Sequence, residues 1–166
     1  MLHSLDHLIV GVRDLEAATS SYTTLLGREP SWRGEHPGMG TANALFRVSN
    51  TYLELLAPVA DGPTAAMLRA RLDSEGEGLI GLAFGTDDAE ACARQLRDRG
   101  LSPSEPNPGL GRDAQSSAER AWKNVLLPPG DSRGPLVFAI EHLSPPDSLP
   151  LVAPHVARES AVAALD

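Results

Sequence analysis

The sequence predicts an α+β fold of two βαβββ modules whose curved, mixed sheets enclose a central cleft. Three observations carry that expectation. Residues 5–58 read as strand, helix, then strands, and residues 79–141 repeat the order in degenerate form. Aligning His7 with Gly81, a shift of 81 − 7 = 74, also places Asp14 on Asp88, Glu16 on Glu90 and Ala17 on Ala91, so both strand-to-helix corners match. The expected organisation is one domain over 1–166, with module one at about 3–58, a connector at 59–78, module two at 79–145 and a tail at 146–166.

In module one, Leu8, Val10 and Val12 alternate with His7, Ile9 and Gly11, giving a strand with one aliphatic face and one face that carries the histidine. Asp14 followed by Glu16 and Ala17 starts a helix. Leu15, Ala18, Tyr22, Leu25 and Leu26 form its apolar stripe and Gly27 its left-handed stop, so it can cover the aliphatic strand face. Pro30, Gly34, Pro37, Gly38 and Gly40 then break every period, leaving loop apart from a short edge strand at Ser31-Trp32-Arg33. Alternation returns at 42–48 and 51–57, and Ser49-Asn50 makes a hairpin turn that sets Leu45 opposite Glu54. On that register Asn43, Leu45, Arg47, Tyr52, Glu54 and Leu56 share a face too polar for a dry core and suited to lining a ligand cleft. Ala44, Phe46, Val48, Leu53 and Leu55 form the packing face.

The connector holds a helical turn or two at 64–72 and ends in Ser74-Glu75-Gly76-Glu77-Gly78. Module two opens with a strand at 79–84 and a helix at 88–99. Residues 102–120 read as loop because of Pro103, Pro106, Pro108, Gly109 and Gly111, and strands at 122–127 and 136–141 flank Pro128-Pro129-Gly130. The proline-rich tail from Ser144 is expected to wrap the surface, with a short helix near 157–165.

Composition excludes whole classes of partner. Fourteen basic against 22 acidic residues give a net charge of −8 with no Lys/Arg cluster, which argues against nucleic acid and anionic membrane. No apolar run approaches the roughly 18 residues of a bilayer span and no signal core opens the chain, so the expected location is the cytoplasm. Cys92, the only cysteine, allows no internal disulfide, and its helical spacing with Ala89, Ala93 and Leu96 assigns it to packing rather than nucleophilic chemistry.

Four segments carry a family resemblance: Leu5-Asp6-His7, the run His36-Pro37-Gly38-Met39-Gly40-Thr41-Ala42-Asn43, Tyr52-Leu53-Glu54-Leu55, and Phe138-Ala139-Ile140-Glu141-His142. Together with the duplication they resemble the vicinal oxygen chelate superfamily, and within it the bacterial glyoxalase-like proteins, over about residues 3–145. That fold hosts glyoxalases, epimerases, extradiol dioxygenases, fosfomycin-modifying transferases and metal-free drug-binding proteins, so the resemblance alone does not fix the reaction. In metal-dependent members the first and last strand of each module each offer one ligand to a divalent cation. Carried over, those positions are His7, Glu54, Gly81 and Glu141.

An imidazole and two carboxylates suit Fe, Ni, Mn, Co or Zn, with open positions for two substrate oxygens, and a displaceable Glu54 or Glu141 would serve as base. Gly81 supplies no ligand; His3 or His36 is the candidate to replace it, and His142 points opposite to Glu141 if the strand stays regular. His36, Thr41 and Asn43 can donate to a ligand oxygen or shuttle a proton, although the same segment also reads as a tight connector. Arg47, paired with Tyr52 across the hairpin, can meet a ligand carboxylate or Glu54, and Trp32 and Trp122 can line the cleft or simply pack.

The leading expectation is a metal-dependent lyase or isomerase acting on a small oxygen-chelating metabolite. The alternative is a metal-free binding or drug-sequestering protein, which Gly81 favours, and an extradiol-type dioxygenase comes third. A homodimer is expected from the resemblance and from unpaired sheet edges.

Overall fold

The computed structural model describes residues 1–145 and 148. The helix expected near 157–165 lies outside the described residues. The chain begins with β1 (Ser4–Gly11) and α1 (Leu15–Leu26). Asp14 caps α1 by accepting from the Ala17 N–H at 3.0 Å, and Gly27 ends it at φ 62°. β2 (Trp32–His36), β3 (Thr41–Arg47) and β4 (Tyr52–Pro58) complete the first module, and α2 (Pro63–Glu75) connects it to the second. There follow β5 (Gly78–Gly85), α3 (Ala89–Asp98), β6 (Asn107–Asp113), β7 (Glu119–Leu127), the single turn α4 (Pro129–Ser132) and β8 (Leu136–His142). Asp88 caps α3 as Asp14 caps α1, accepting from the Ala91 N–H at 2.8 Å.

The eight strands close into a barrel in the order β1-β4-β3-β2-β6-β7-β8-β5. Each module places its first strand parallel to its last, β1 beside β4 and β5 beside β8. The modules join through two antiparallel seams: a long one between β1 and β5, and a short one between β2 and β6 in which Gly34 faces Asp113 and Glu35 faces Arg112. Every strand of the barrel therefore has a neighbour on both sides, and the homodimer expected from unpaired sheet edges loses that support.

The β3–β4 hairpin has the expected register, with Leu45 opposite Glu54. Its outer face, with Val10 and Val12 of the β1 segment, packs Phe46 and Leu55 under Leu15, Ala18, Tyr22 and Leu26 of the α1 helix. α3 does the same for module two, setting Cys92, Ala93 and Leu96 on Val125 and Ala139. Each fully buried aliphatic side chain of this kind contributes about 1.5–3 kcal/mol. α2 is longer than the sequence suggested. Its Leu68 and Leu72 pack on Ile9, Leu56, Ile80 and Phe138, so the connector forms part of the core.

Two stretches expected to be loop are strands. β2 reaches His36 and is no edge, because it pairs with both β3 and β6; β6 occupies 107–113. Their glycines are accommodated by tryptophans. A Cβ at Gly34 would run into the Trp32 indole and would meet the Arg112 carbonyl oxygen at 2.8 Å, and one at Gly109 would run into the Trp122 indole. Glycine breaks the sequence pattern here because the space above the backbone is filled by an aromatic ring.

Candidate functional site

The barrel encloses a cavity of about 520 Å³, within the roughly 300–1,000 Å³ usual for small-molecule sites. Alternation along each strand supplies its wall. His7 and Ile9 come from β1, Trp32 and His36 from β2, Thr41, Asn43 and Leu45 from β3, and Tyr52, Glu54 and Leu56 from β4. Module two contributes Arg120, Trp122, Asn124 and Leu126 of β7, and Leu136, Phe138, Ile140 and His142 of β8. Pro63, Thr64 and Met67 of α2 line it as well. Much of the wall's hydrogen-bonding capacity is on module one, opposite the apolar run of β8.

His7 is the centre of the polar side. It is buried, its Nδ1 lies 2.7 Å from Asp6 Oδ1, its Nε2 lies 3.4 Å from Glu54 Oε2, and its ring stacks on Tyr52 with centroids 4.6 Å apart. Burial works against the imidazolium, but hydrogen bonds and charge from Asp6 and Glu54 outweigh it and raise the His7 pKa to about 9. Burial likewise opposes ionisation of both carboxylates, yet their histidine partners hold Asp6 and Glu54 below the usual carboxylate range. Asp6 is shared: Tyr52 donates its hydroxyl to Oδ1 at 2.9 Å, and His142 Nε2 sits 3.0 Å from Oδ2. Adjacent residues on a regular strand face opposite ways. Asp6 and His7 meet because the β1–β5 register shifts between Leu5 and His7.

A second chain of contacts leads from Glu54. Asn43 Nδ2 donates to Glu54 Oε1 at 2.7 Å and lies 3.2 Å from His36 Nε2, while His36 Nδ1 is 2.9 Å from Thr41 Oγ1. Burial pushes the His36 pKa down, which matches a neutral ring that accepts at Nε2 and donates from Nδ1 to Thr41. The Asn43 Oδ1 atom is buried with no hydrogen-bond partner among the described residues, so an acceptor is left at the cavity wall. Trp122 meets His36 edge-on, with centroids 5.6 Å apart.

His7, His36, Thr41, Asn43, Tyr52, Glu54 and Trp122 thus come together around one cavity. Three other candidates stand elsewhere. Glu141 Oε2 accepts the Ala89 N–H at 2.9 Å and caps α3 on the outside of the barrel, while its neighbours Ile140 and His142 face in. Arg47, although opposite Tyr52, is absent from the cavity wall, and its carbonyl accepts from the Arg28 guanidinium. His3 is exposed and lies 3.4 Å from Asp87.

The family model described as "Glyoxalase-like domain" matches residues 5–165. The chain belongs to that glyoxalase-like family. Among relatives, the ethylmalonyl-CoA/methylmalonyl-CoA epimerase of Cereibacter sphaeroides is 30% identical over 113 residues, covering 66% of this chain and 82% of the relative. Human mitochondrial methylmalonyl-CoA epimerase is 26% identical over 137 residues, 82% of this chain and 72% of its own length. A solved structure of Streptomyces coelicolor methylmalonyl-CoA epimerase with 2-nitronate-propionyl-CoA superposes with a TM-score of 0.69 at 25% identity, covering 87% of this chain and all of that one.

Within this glyoxalase-like chain the strand registers correct the ligand assignment. His7 pairs with Tyr52 between β1 and β4 as Gly81 pairs with Leu136 between β5 and β8, so two residues further on Glu54 corresponds to Phe138 and not to Glu141. The module-two counterparts of His7 and Glu54 are therefore a glycine and a phenylalanine. A Cβ at Gly81 would run into the Leu136 carbonyl oxygen and meet Leu136 Cβ at 2.8 Å, so no side chain can replace the missing ligand without moving β8. Among the described residues no group of three His, Cys, Asp or Glu side chains is placed to hold a metal ion, and the set His7, Glu54 and Glu141 does not fit one.

Three site residues escaped the sequence reading: Asp6, His142 as a partner of Asp6, and Arg120. Strict strand alternation hid Asp6 behind His7. Arg120 fell in a stretch read as loop.

Proposed function

We propose that this protein is a proton-transfer enzyme of the isomerase type, acting at a carbon next to a carbonyl in a small molecule held inside the barrel. The observation that supports the reading is the array of Asp6, His7 and Glu54, with His7 Nε2 3.4 Å from Glu54 Oε2, at the polar wall of an otherwise largely apolar cavity. The names of the similar epimerases agree with the reaction class.

Glu54 is ionised at neutral pH and is the group that accepts the carbon-bound proton. As that C–H bond breaks, its electron pair forms the C=C bond of an enolate and negative charge moves to the former carbonyl oxygen. Once Glu54 has taken the proton and lost its charge, the His7 imidazolium, held by Asp6 at Nδ1, turns its Nε2–H from Glu54, 3.4 Å away, to that oxygen. Return of the proton from the Glu54 carboxyl to the same face restores the starting isomer; its delivery to the opposite face, after the enolate has turned over in the cavity, restores the carbonyl and completes an isomerisation. His36 and Thr41, joined to Glu54 through Asn43, position the carboxylate.

A second reading, ligand sequestration without chemistry, is favoured by Leu136, Phe138 and Ile140, which present no reactive group where module one presents several. Incubation in D2O with methylmalonyl-CoA and with small 2-oxo acids separates the two. Deuterium appearing at the carbon next to the carbonyl with wild type, and lost in Glu54→Gln, is the expected result. Saturable binding with no exchange in any substrate would overturn the enzyme reading in favour of sequestration. Elemental analysis of wild type and of the His7→Ala, Glu54→Ala double variant checks the metal: stoichiometric metal lost in the double variant would replace the acid–base pair with a two-ligand metal centre.

A further inference from the structure

Arg120 is the only arginine or lysine on the cavity wall among the described residues. Its guanidinium carbon lies 3.8 Å over the Trp32 ring centroid and its Nε donates to the Ser148 carbonyl oxygen at 2.7 Å. Nη1 is buried and has no hydrogen-bond partner among the described residues. Arg13, Arg33, Arg71, Arg97 and Arg112, all outside the cavity, each meet a carboxylate directly. Arg120 has no ion pair among the described residues, although Asp113 acts on it from beyond contact distance. Burial lowers its pKa only to about 10, so it stays charged.

A half-buried cation with a planar fork of donors, oriented by an aromatic ring and facing a ligand cavity, is complementary to a planar anion of the same width. We infer that Arg120, stacked on Trp32, receives a carboxylate carried by the ligand. The substrate class is then a carboxylic acid with a carbonyl and an apolar body: the carboxylate at Arg120, the carbonyl towards His7 and Glu54, and the apolar part along Phe138 and Ile140. Arg120 and Trp122 point the same way along β7, two residues apart, about 7 Å. Trp122 in turn touches His36, so the anion site and the acid–base site share one wall. The inference rests on the proposed use of this cavity for a small molecule.

The test uses 2-oxo-4-phenylbutanoate and its primary amide, which differ at the carboxylate alone. Binding is read from quenching of the two tryptophans, Trp32 and Trp122, both on the cavity wall. Wild type should bind the acid at least about tenfold more tightly than the amide. Arg120→Gln should abolish that ratio while still binding the amide, and Arg120→Lys should restore part of it. Comparing acid with amide inside each variant removes any effect of the substitution on folding. Equal affinity of wild type for acid and amide, an unchanged ratio in Arg120→Gln, or no saturable quenching by either compound would overturn the inference. Deuterium exchange at C3 of the same acid separates its fate from that of the enzyme reading. A strong acid preference with no exchange in this acid, in the other 2-oxo acids or in methylmalonyl-CoA supports Arg120 and overturns proton transfer; exchange with equal affinities does the reverse.

Discussion

The His7 imidazole lies nearly parallel to the Tyr52 ring, 20° apart in plane, while its two nitrogens face Asp6 and Glu54. This arrangement ties stability to pH. The His7 pKa is raised from 6.5 to about 9 on folding, so the stabilisation is complete below 6.5 and is lost as pH climbs through 9. Asp6 and Glu54 are shifted the other way, and their contributions are present above the usual carboxylate pKa of about 4 and lost in acid. Urea midpoints measured from pH 6 to pH 10 should therefore fall on the alkaline side. In Asp6→Asn the alkaline fall should shrink, and the protein should lose about 3 kcal/mol at neutral pH, because one partner of a buried pair is removed. A wild-type midpoint that is flat through pH 9 would refute the paired imidazolium.

The two glutamates that the resemblance treats alike should behave differently. Glu54→Gln removes the proposed base, and deuterium exchange should fall by at least about 100-fold with the fold retained. Glu141→Ala removes the acceptor for the Ala89 N–H and should cost about 1 kcal/mol of stability through the start of α3, with exchange unaffected. Chemical denaturation and the exchange assay on both variants check this, and loss of exchange in Glu141→Ala would return Glu141 to the site.

What could be read from the sequence follows from which residues obey simple periods. The β3–β4 hairpin, with Leu45 opposite Glu54, and the Asp-capped helices α1 and α3 rest on local rules, and they appear where the residues place them. Gly34 and Gly109 suppress the strand signal of β2 and β6 because their function is to make room for Trp32 and Trp122, a contact that only tertiary structure reveals. The site divides in the same way. His7, Asn43, Tyr52 and Glu54 were legible from one-face arguments, whereas Asp6 needed a register shift and Glu141 needed the β5–β8 pairing to show which way it points.

Gly109 offers a direct test of the tryptophan wall. A Cβ there would run into the Trp122 indole, meeting Cζ2 at 2.8 Å, whereas a Cβ at Gly111 would meet Cζ3 of the same ring at 3.2 Å. The first contact demands that the ring move and the second only that it give slightly. Gly109→Ala should therefore destabilise the protein by about 1–3 kcal/mol, the usual cost of overpacking, and Gly111→Ala by less. Because Trp122 leans edge-on against His36, displacing it should also shift tryptophan emission and weaken ligand binding in Gly109→Ala. Paired thermal melts and emission spectra decide the matter: equal effects of the two substitutions, or no change of emission in Gly109→Ala, would show that the indole does not rest on Gly109.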